Sequence, residues 1–277
     1  MKHTAGDFKS IRDLNIYYKG WLPDGDVKAV LFIVHGAGEH CERYMNVVNH
    51  FVPLGYAVYG FDNIGHGKSG GGREQVVRFE DLTAPLATYY TMVKSWQPDK
   101  PIFILGHSLG GLIECYYLLD HQEDFKGAII SAPSIAIGEG ITTTTIAMAK
   151  VLSVIAPKAG VMKLDANMIS RDPEVVKAYV NDPLVFHGKM PARLAAEMLK
   201  AMLRVTAEAD KITLPLIVVQ GSEDKIVDPG GAQMLYNQAG SRDKTLKVYE
   251  GLYHEVHNEP ERSTMFKDVE AWLAERV

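Results

Sequence analysis

The sequence predicts an α/β fold: a mostly parallel central sheet flanked by helices, with one helical insertion. Three observations carry this. Near-continuous apolar runs of strand length recur along the chain, as expected of strands buried on both faces. Longer stretches with helical periodicity separate them, so successive strands are joined by crossovers and lie parallel. One interval of about 80 residues, between Pro133 and Leu214, carries helical pattern only.

The elements follow in order. Residues 13–24 are expected as an antiparallel edge strand or hairpin. The apolar runs 27–35, 56–61, 101–106, 126–132, 214–220 and 244–250 are expected as strands. Helices are expected at about 43–54, 79–96, 109–121 and 230–239, and from about 259 to the end. The insertion, placed after the sixth strand, divides the chain into a core of 1–133 with 210–277 and a helical cap of 134–209. Within it, residues 141–156 carry a single charge, Lys150, and end at Pro157. This segment is too short to span a bilayer. It reads either as a buried core helix or as a cap helix with its apolar face turned to substrate or a lipid surface. Insertion of the whole interval after a strand favours the cap.

Composition narrows the function. Of 277 residues, 47% are hydrophobic and 23% charged, which excludes disordered, collagen-like and coiled-coil chains. Lys and Arg total 29 against 34 Asp and Glu, a net charge of −5, and basic residues cluster no further than single pairs. Nucleic acid is therefore not the expected partner, and a small molecule is. Cys41 and Cys115 stand in no disulfide or zinc-ligand spacing. The opening MKHTAGDFKS lacks the apolar run of a secretory signal, so a soluble intracellular protein is expected, with no metal or organic cofactor.

The strongest chemical signal is Gly106-His107-Ser108-Leu109-Gly110, which follows the strand PIFIL and opens the helix LGGLIECYYLL. In a strand–turn–helix setting, G-x-S-x-G forms a nucleophile elbow. The turn is too tight for bulk two residues either side of Ser108, hence the two glycines. It projects the Ser108 hydroxyl and sets the Leu109 N–H at a helix N-terminus, where the dipole favours an oxyanion. Serine needs a base, and the base an orienting acid. In this chain order both lie downstream at strand ends: Asp224 follows LPLIVVQ, and His254 follows KTLKVYE. Glu223 and Asp228 are rival acids, and His257 is a rival base. The loop His35-Gly36-Ala37-Gly38-Glu39-His40 follows an earlier strand and offers the Ala37 N–H as second oxyanion donor. It lacks the spacing of a phosphate-binding loop. His66 is expected to brace the loop after its strand, and His107 to pack.

Taken together, His35-Gly-Ala-Gly-Glu-His40 with Arg43-Tyr44, Asp62-x-x-Gly65-His66-Gly67-x-Ser69, Gly106-His-Ser-Leu-Gly-Gly111, Ser170-Arg171, Asn181-Asp182-Pro183-Leu184, Gln220-Gly-Ser-x-Asp224 and Tyr249-Glu-Gly-x-Tyr-His254 resemble the monoacylglycerol lipase group of the α/β-hydrolase fold. The resemblance runs from about residue 13 to the C-terminus. It implies a serine ester hydrolase that releases one fatty acyl chain from glycerol, with an apolar cap lining an acyl tunnel. The sparsely charged 141–156 segment separately suggests a transient membrane-surface contact through the cap. The resemblance also fixes roles. It places the triad on Ser108, Asp224 and His254 and the oxyanion donors on Ala37 and Leu109. Glycerol contacts fall on Glu39, Arg43, Tyr179 and His257, although Glu39 and Arg43 also have a plainer reading as an ion pair. No cysteine stands near Asp224, where the mammalian enzymes have one; the position is Val227. Lysophospholipase, general carboxylesterase and acyl transfer are the neighbouring activities. A triad-bearing receptor with little turnover and a proline iminopeptidase, with Glu39 anchoring the amine, are the more distant ones.

Overall fold

The computed structural model describes residues 1–136 and 143–277, with side chains described in all but 143–146. The strands are β1 (Lys2–Lys9), β2 (Asn15–Leu22), β3 (Ala29–Val34), β4 (Tyr56–Phe61), β5 (Ile102–His107), β6 (Gly127–Ser131), β7 (Gly160–Met162), β8 (Met190–Pro191), β9 (Leu216–Gly221) and β10 (Lys244–Tyr249). The helices are α1 (Met45–Phe51), α2 (Glu80–Trp96), α3 (Leu109–His121), α4 (Thr143–Ile155), α5 (Pro173–Asn181), α6 (Ala192–Glu208), α7 (Gly230–Gln238) and α8 (Arg262–Ala274). Eight strands form one sheet in the order β1-β2-β4-β3-β5-β6-β9-β10. β1 and β2 form an antiparallel hairpin, β2 runs antiparallel to β4, and the remaining neighbours are parallel.

Alternation along the central strands builds the two faces. Val30, Phe32 and Val34 pack on one side with Ile102, Ile104, Ala128, Ile130, Leu216 and Val218, beneath α2, α3 and α7. Leu31 and Ile33 pack on the other with Phe103, Leu105, Ile129, Ile217 and Val219, beneath α1 and α8. Both faces are apolar because both are covered, which gives β3–β6 and β9 their unbroken apolar runs. Register sets Val34 beside Phe61 and Gly106, and His107 beside Ser131. The loops after β3, β5, β9 and β10 therefore leave the sheet at its carboxyl edge, where open α/β sheets hold their ligands.

Two elements differ from expectation. The hairpin begins at Lys2, earlier than residue 13, because β1 (KHTAGDFK) is a mostly exposed edge strand without an apolar run. Between β6 and β9 the chain is not purely helical: β7 and β8 form a two-stranded antiparallel ribbon, each strand too short to show periodicity. α6 contributes Leu194, Met198, Ala201 and Val205 to the main core, against the wholly buried turns of α3. α4 lies against α6 but leaves Met148, Val151, Val154 and Ile155 exposed, at 57–77% of their full surface. It is thus not a buried core helix. None of its described side chains enters the cavity beside Ser108; Ile146 lies outside the described side chains. Among the described residues, no helix is long and apolar enough to cross a membrane.

Candidate active site

Ser108 stands between β5 and α3 with φ 56° and ψ −119°, a conformation L-residues avoid. Its N–H donates to Ser131 O at 3.0 Å, and its carbonyl accepts Ser134 N–H at 3.1 Å. The flanking glycines are sterically required. A Cβ on Gly110 would collide with the Val34 carbonyl, and one on Gly106 with Gly110 O and the Glu114 carboxyl. The Ser108 hydroxyl lies 3.4 Å from Ser134 Oγ. The N–H groups of Leu109 and Ala37 have no acceptor among the described residues. Both residues line a cavity of about 340 Å³ together with Ser108.

His254 Nδ1 lies 2.7 Å from Asp224 Oδ2. The other Asp224 oxygen accepts the N–H groups of Ile226 and Val227 at 2.9 and 3.1 Å, and Gln220 Nε2 donates to Oδ2 at 2.9 Å. Burial pushes the Asp224 carboxyl up, but the His254 bond and charge and the two backbone donors carry it below the usual range. Neither rival acid hydrogen-bonds to His254 among the described residues. Glu223 is exposed, and Asp228 accepts the Gly230 N–H at 2.8 Å at the start of α7. His254 lines a narrow cleft with Ser108, Ala37, Glu39, Arg43 and Tyr179, so this histidine and the elbow serine border the same space.

The polar residues lining the cleft form a connected network with Gly36 and Tyr44. Glu39 accepts the Gly36 N–H at 2.6 Å, the Tyr44 hydroxyl at 2.9 Å and Arg43 Nη1 at 2.9 Å. Arg43 also grips Glu255 through both oxygens, at 2.7 and 2.8 Å, and stacks 4.6 Å over the Tyr179 ring. Burial works against the Glu255 charge, yet Arg43 holds that carboxyl down at about 2. Glu39, the second carboxylate on the same cation, is pushed up by burial. The ion-pair reading of Glu39 and Arg43 thus describes their contacts.

His257 does not line the cleft. It is buried behind it, stacked 4.9 Å from Tyr44 and edge-on to His107 at 4.9 Å, and neither ring nitrogen has a partner among the described residues. Burial depresses its pKa to about 4. His107 packs 4.6 Å from His254, with Nδ1 3.3 Å from Ser131 Oγ. His66 braces its loop through Nδ1 and the Ile64 carbonyl at 2.9 Å. Sequence reasoning passed over Glu255 and Ser134, which stand outside the quoted motifs, and gave Tyr44 no role beyond its place in the Arg43-Tyr44 motif. The segment between β6 and β9 is tied to the loop after β3 by Phe186 N–H to Gly38 O at 2.8 Å and by His40 Nε2 to Asp182 Oδ2 at 2.8 Å.

The sequence matches the family described as serine aminopeptidase, S33, over residues 25–261. The chain belongs to that family. Monoacylglycerol lipase from Mycolicibacterium smegmatis is 37% identical over 98% of this chain and 96% of its own. Phospholipase YtpA from Bacillus subtilis is 31% identical over 93% of this chain and 99% of its own. The crystal structure of Paleococcus ferrophilus monoacylglycerol lipase superimposes with a TM-score of 0.82 at 29% identity, covering 100% of both chains. This S33 hydrolase is an α/β-hydrolase in fold and a monoacylglycerol lipase-like ester hydrolase in kind.

Proposed function

We propose that this S33 hydrolase releases the fatty acid from a monoacylglycerol through an acyl-enzyme on Ser108. The observation that carries the reading is the Asp224–His254 pair at 2.7 Å, set on the cleft that also holds the strained elbow serine. Ser108 attacks the ester carbonyl while His254 takes its proton, and Asp224 holds the imidazole in the required tautomer. The Ala37 and Leu109 N–H groups, free of protein acceptors among the described residues, receive the oxyanion. His254 returns the proton to the departing glycerol oxygen, then activates the water that deacylates Ser108. The Ser108 hydroxyl must turn from Ser134 toward His254; such bonds commonly tighten only when substrate binds.

The acyl chain has a place in the 340 Å³ cavity, whose walls include Met162, Leu164, Phe186, Met190, Met198 and Met202. Residues 134–209 act as a cap that supplies most of this wall. Methionine walls adapt to irregular chains. The similarity to a protein named phospholipase keeps lysophospholipid hydrolysis as a second reading. Turnover on monooleoylglycerol, lysophosphatidylcholine and an aminoacyl amide separates the two and tests both. The proposal requires the highest kcat/KM on the monoacylglycerol. Preference for the amide would overturn it, as would stoichiometric binding with turnover far below about 1 s⁻¹.

A further inference from the structure

One wall of the acyl cavity is not apolar. Glu74 lines it beside Ala37, Gly38 and Ser108, and the residue is only 4% exposed. Its carboxylate makes no hydrogen bond among the described residues. The nearest basic atom, His66 Nε2, is 3.7 Å away and itself unpartnered. Among the described residues the other acidic side chain on this wall is Asp228, which accepts the Gly230 N–H. Glu74 is held in place by its backbone: φ is 53°, and its N–H donates to Gly65 O at 3.2 Å. The Tyr179 hydroxyl approaches the same spot. A Cβ built on Gly38 would lie 3.4 Å from that hydroxyl and 3.7 Å from Glu74 Oε1. A buried carboxyl, a phenol without a partner among the described residues and a bare glycine thus form a polar notch in a cavity otherwise walled largely by methionine and aliphatic side chains.

The notch sits on the acyl side of the reaction. The acyl chain needs apolar room, and this cavity of about 340 Å³ supplies it, whereas the cleft lined by His254 has only about 10 Å³. What enters the cavity past Leu109 and Ala37 is the acyl group. Gly38 follows directly on the Ala37 N–H proposed to hold the carbonyl oxygen, so the notch faces the first few carbons of the chain. A plain alkyl chain there would seal the Glu74 carboxyl from water and offer it nothing. A buried acceptor left unpaired discriminates against ligands that lack the matching donor.

We propose that Glu74, with Tyr179, selects acyl groups that carry a hydrogen-bond donor, a hydroxyl or an ammonium, near the ester carbonyl. This rests on the ester-hydrolase reading above. Asymmetric in the same way as any site built for a donor, it rejects the unsubstituted chain rather than binding the substituted one tightly.

The test is kcat/KM on 1-decanoylglycerol and its 2-, 3- and 4-hydroxy and 3-amino derivatives, for the wild type, Glu74→Gln and Glu74→Met. In the wild type at least one substituted ester should exceed the decanoyl ester by about tenfold or more. Glu74→Met should bring that ratio to one or below, by speeding the plain ester while slowing the substituted one. Glu74→Gln, which still accepts a hydrogen bond but carries no charge, should keep a hydroxyl preference and lose an amino preference. That variant therefore tells the two donor sources apart. Wild-type ratios near one throughout would overturn the inference while leaving the ester-hydrolase reading intact. So would an equal loss on all esters in both variants together with a lower melting temperature, which would mark Glu74 as loop scaffolding. Absence of turnover on every ester would remove the ester-hydrolase reading and this inference with it.

Discussion

At Ser108 the backbone holds a positive φ of 56°, a conformation that costs of order 1–3 kcal/mol and persists only where its surroundings impose it. Here β5, α3 and the Ser131 carbonyl impose it. Ser108→Ala leaves that framework in place and, on the proposed mechanism, should lower kcat by roughly 10⁴-fold or more, because a nucleophile, base and acid act as a unit. His254→Ala should be nearly as damaging, while His257→Ala, outside the cleft, should retain measurable turnover. Steady-state kinetics on a p-nitrophenyl ester decides the ranking, and its reversal would make His257 the base. Arg43 sits between two buried carboxylates, so Arg43→Met should destabilise the fold by about 3–5 kcal/mol in chemical unfolding. Glu39→Gln should slow a monoacylglycerol and the p-nitrophenyl ester of the same acid alike, since its oxygens already serve Gly36, Tyr44 and Arg43. A loss confined to the monoacylglycerol would restore Glu39 to a direct glycerol contact. The strained elbow at Ser108 and the Asp224–His254 pair were legible because each residue follows a strand in a short motif. Glu255 and Glu74 were not: the Arg43 that grips Glu255 stands 212 residues away in sequence, and Glu74 lies in a loop where no motif marks it.

At the scale of elements, buried parallel strands announced themselves. Each must satisfy two apolar faces, and that requirement writes a continuous run into β3–β6 and β9. β1 escaped notice for the opposite reason: as an exposed edge it needs no such run. α4 shows where hydrophobicity is ambiguous. Its nearly uncharged sequence read as a buried core helix or as a cap helix facing substrate or a lipid surface. Its described apolar residues face outward, and much of the described cavity wall comes from β7, β8, α5, α6 and the loops between. Val151→Glu should therefore leave KM for soluble esters unchanged whatever the chain length. Met198→Glu, on the cavity wall, should raise KM for decanoyl far more than for acetyl esters. Each buried methylene contact is worth about 0.8 kcal/mol, so the penalty should grow with chain length until the cavity ends. A chain-length-dependent effect of Val151→Glu would return α4 to the tunnel.

For the whole molecule, the buried histidines behind the site tie stability to pH. Burial depresses the His257 pKa from 6.5 to about 4. Between about pH 6.5 and 4 the unfolded chain then binds a proton that the folded chain excludes, so stability falls as pH falls through that window. Over 2.5 units at about 1.4 kcal/mol each, the loss approaches about 3 kcal/mol at the acid end. His257→Phe removes this contribution, so its unfolding free energy should decline less than the wild type's between pH 7 and pH 4. Parallel declines would show that the folded protein accepts the proton without penalty. The central claim is the acyl-enzyme on Ser108, and active-site labelling tests it most directly. Intact-mass spectrometry after treatment with a fluorophosphonate should show a single adduct, mapped to the peptide that carries Ser108 and absent from Ser108→Ala. An adduct elsewhere in the chain, or none while ester turnover persists, would contradict it.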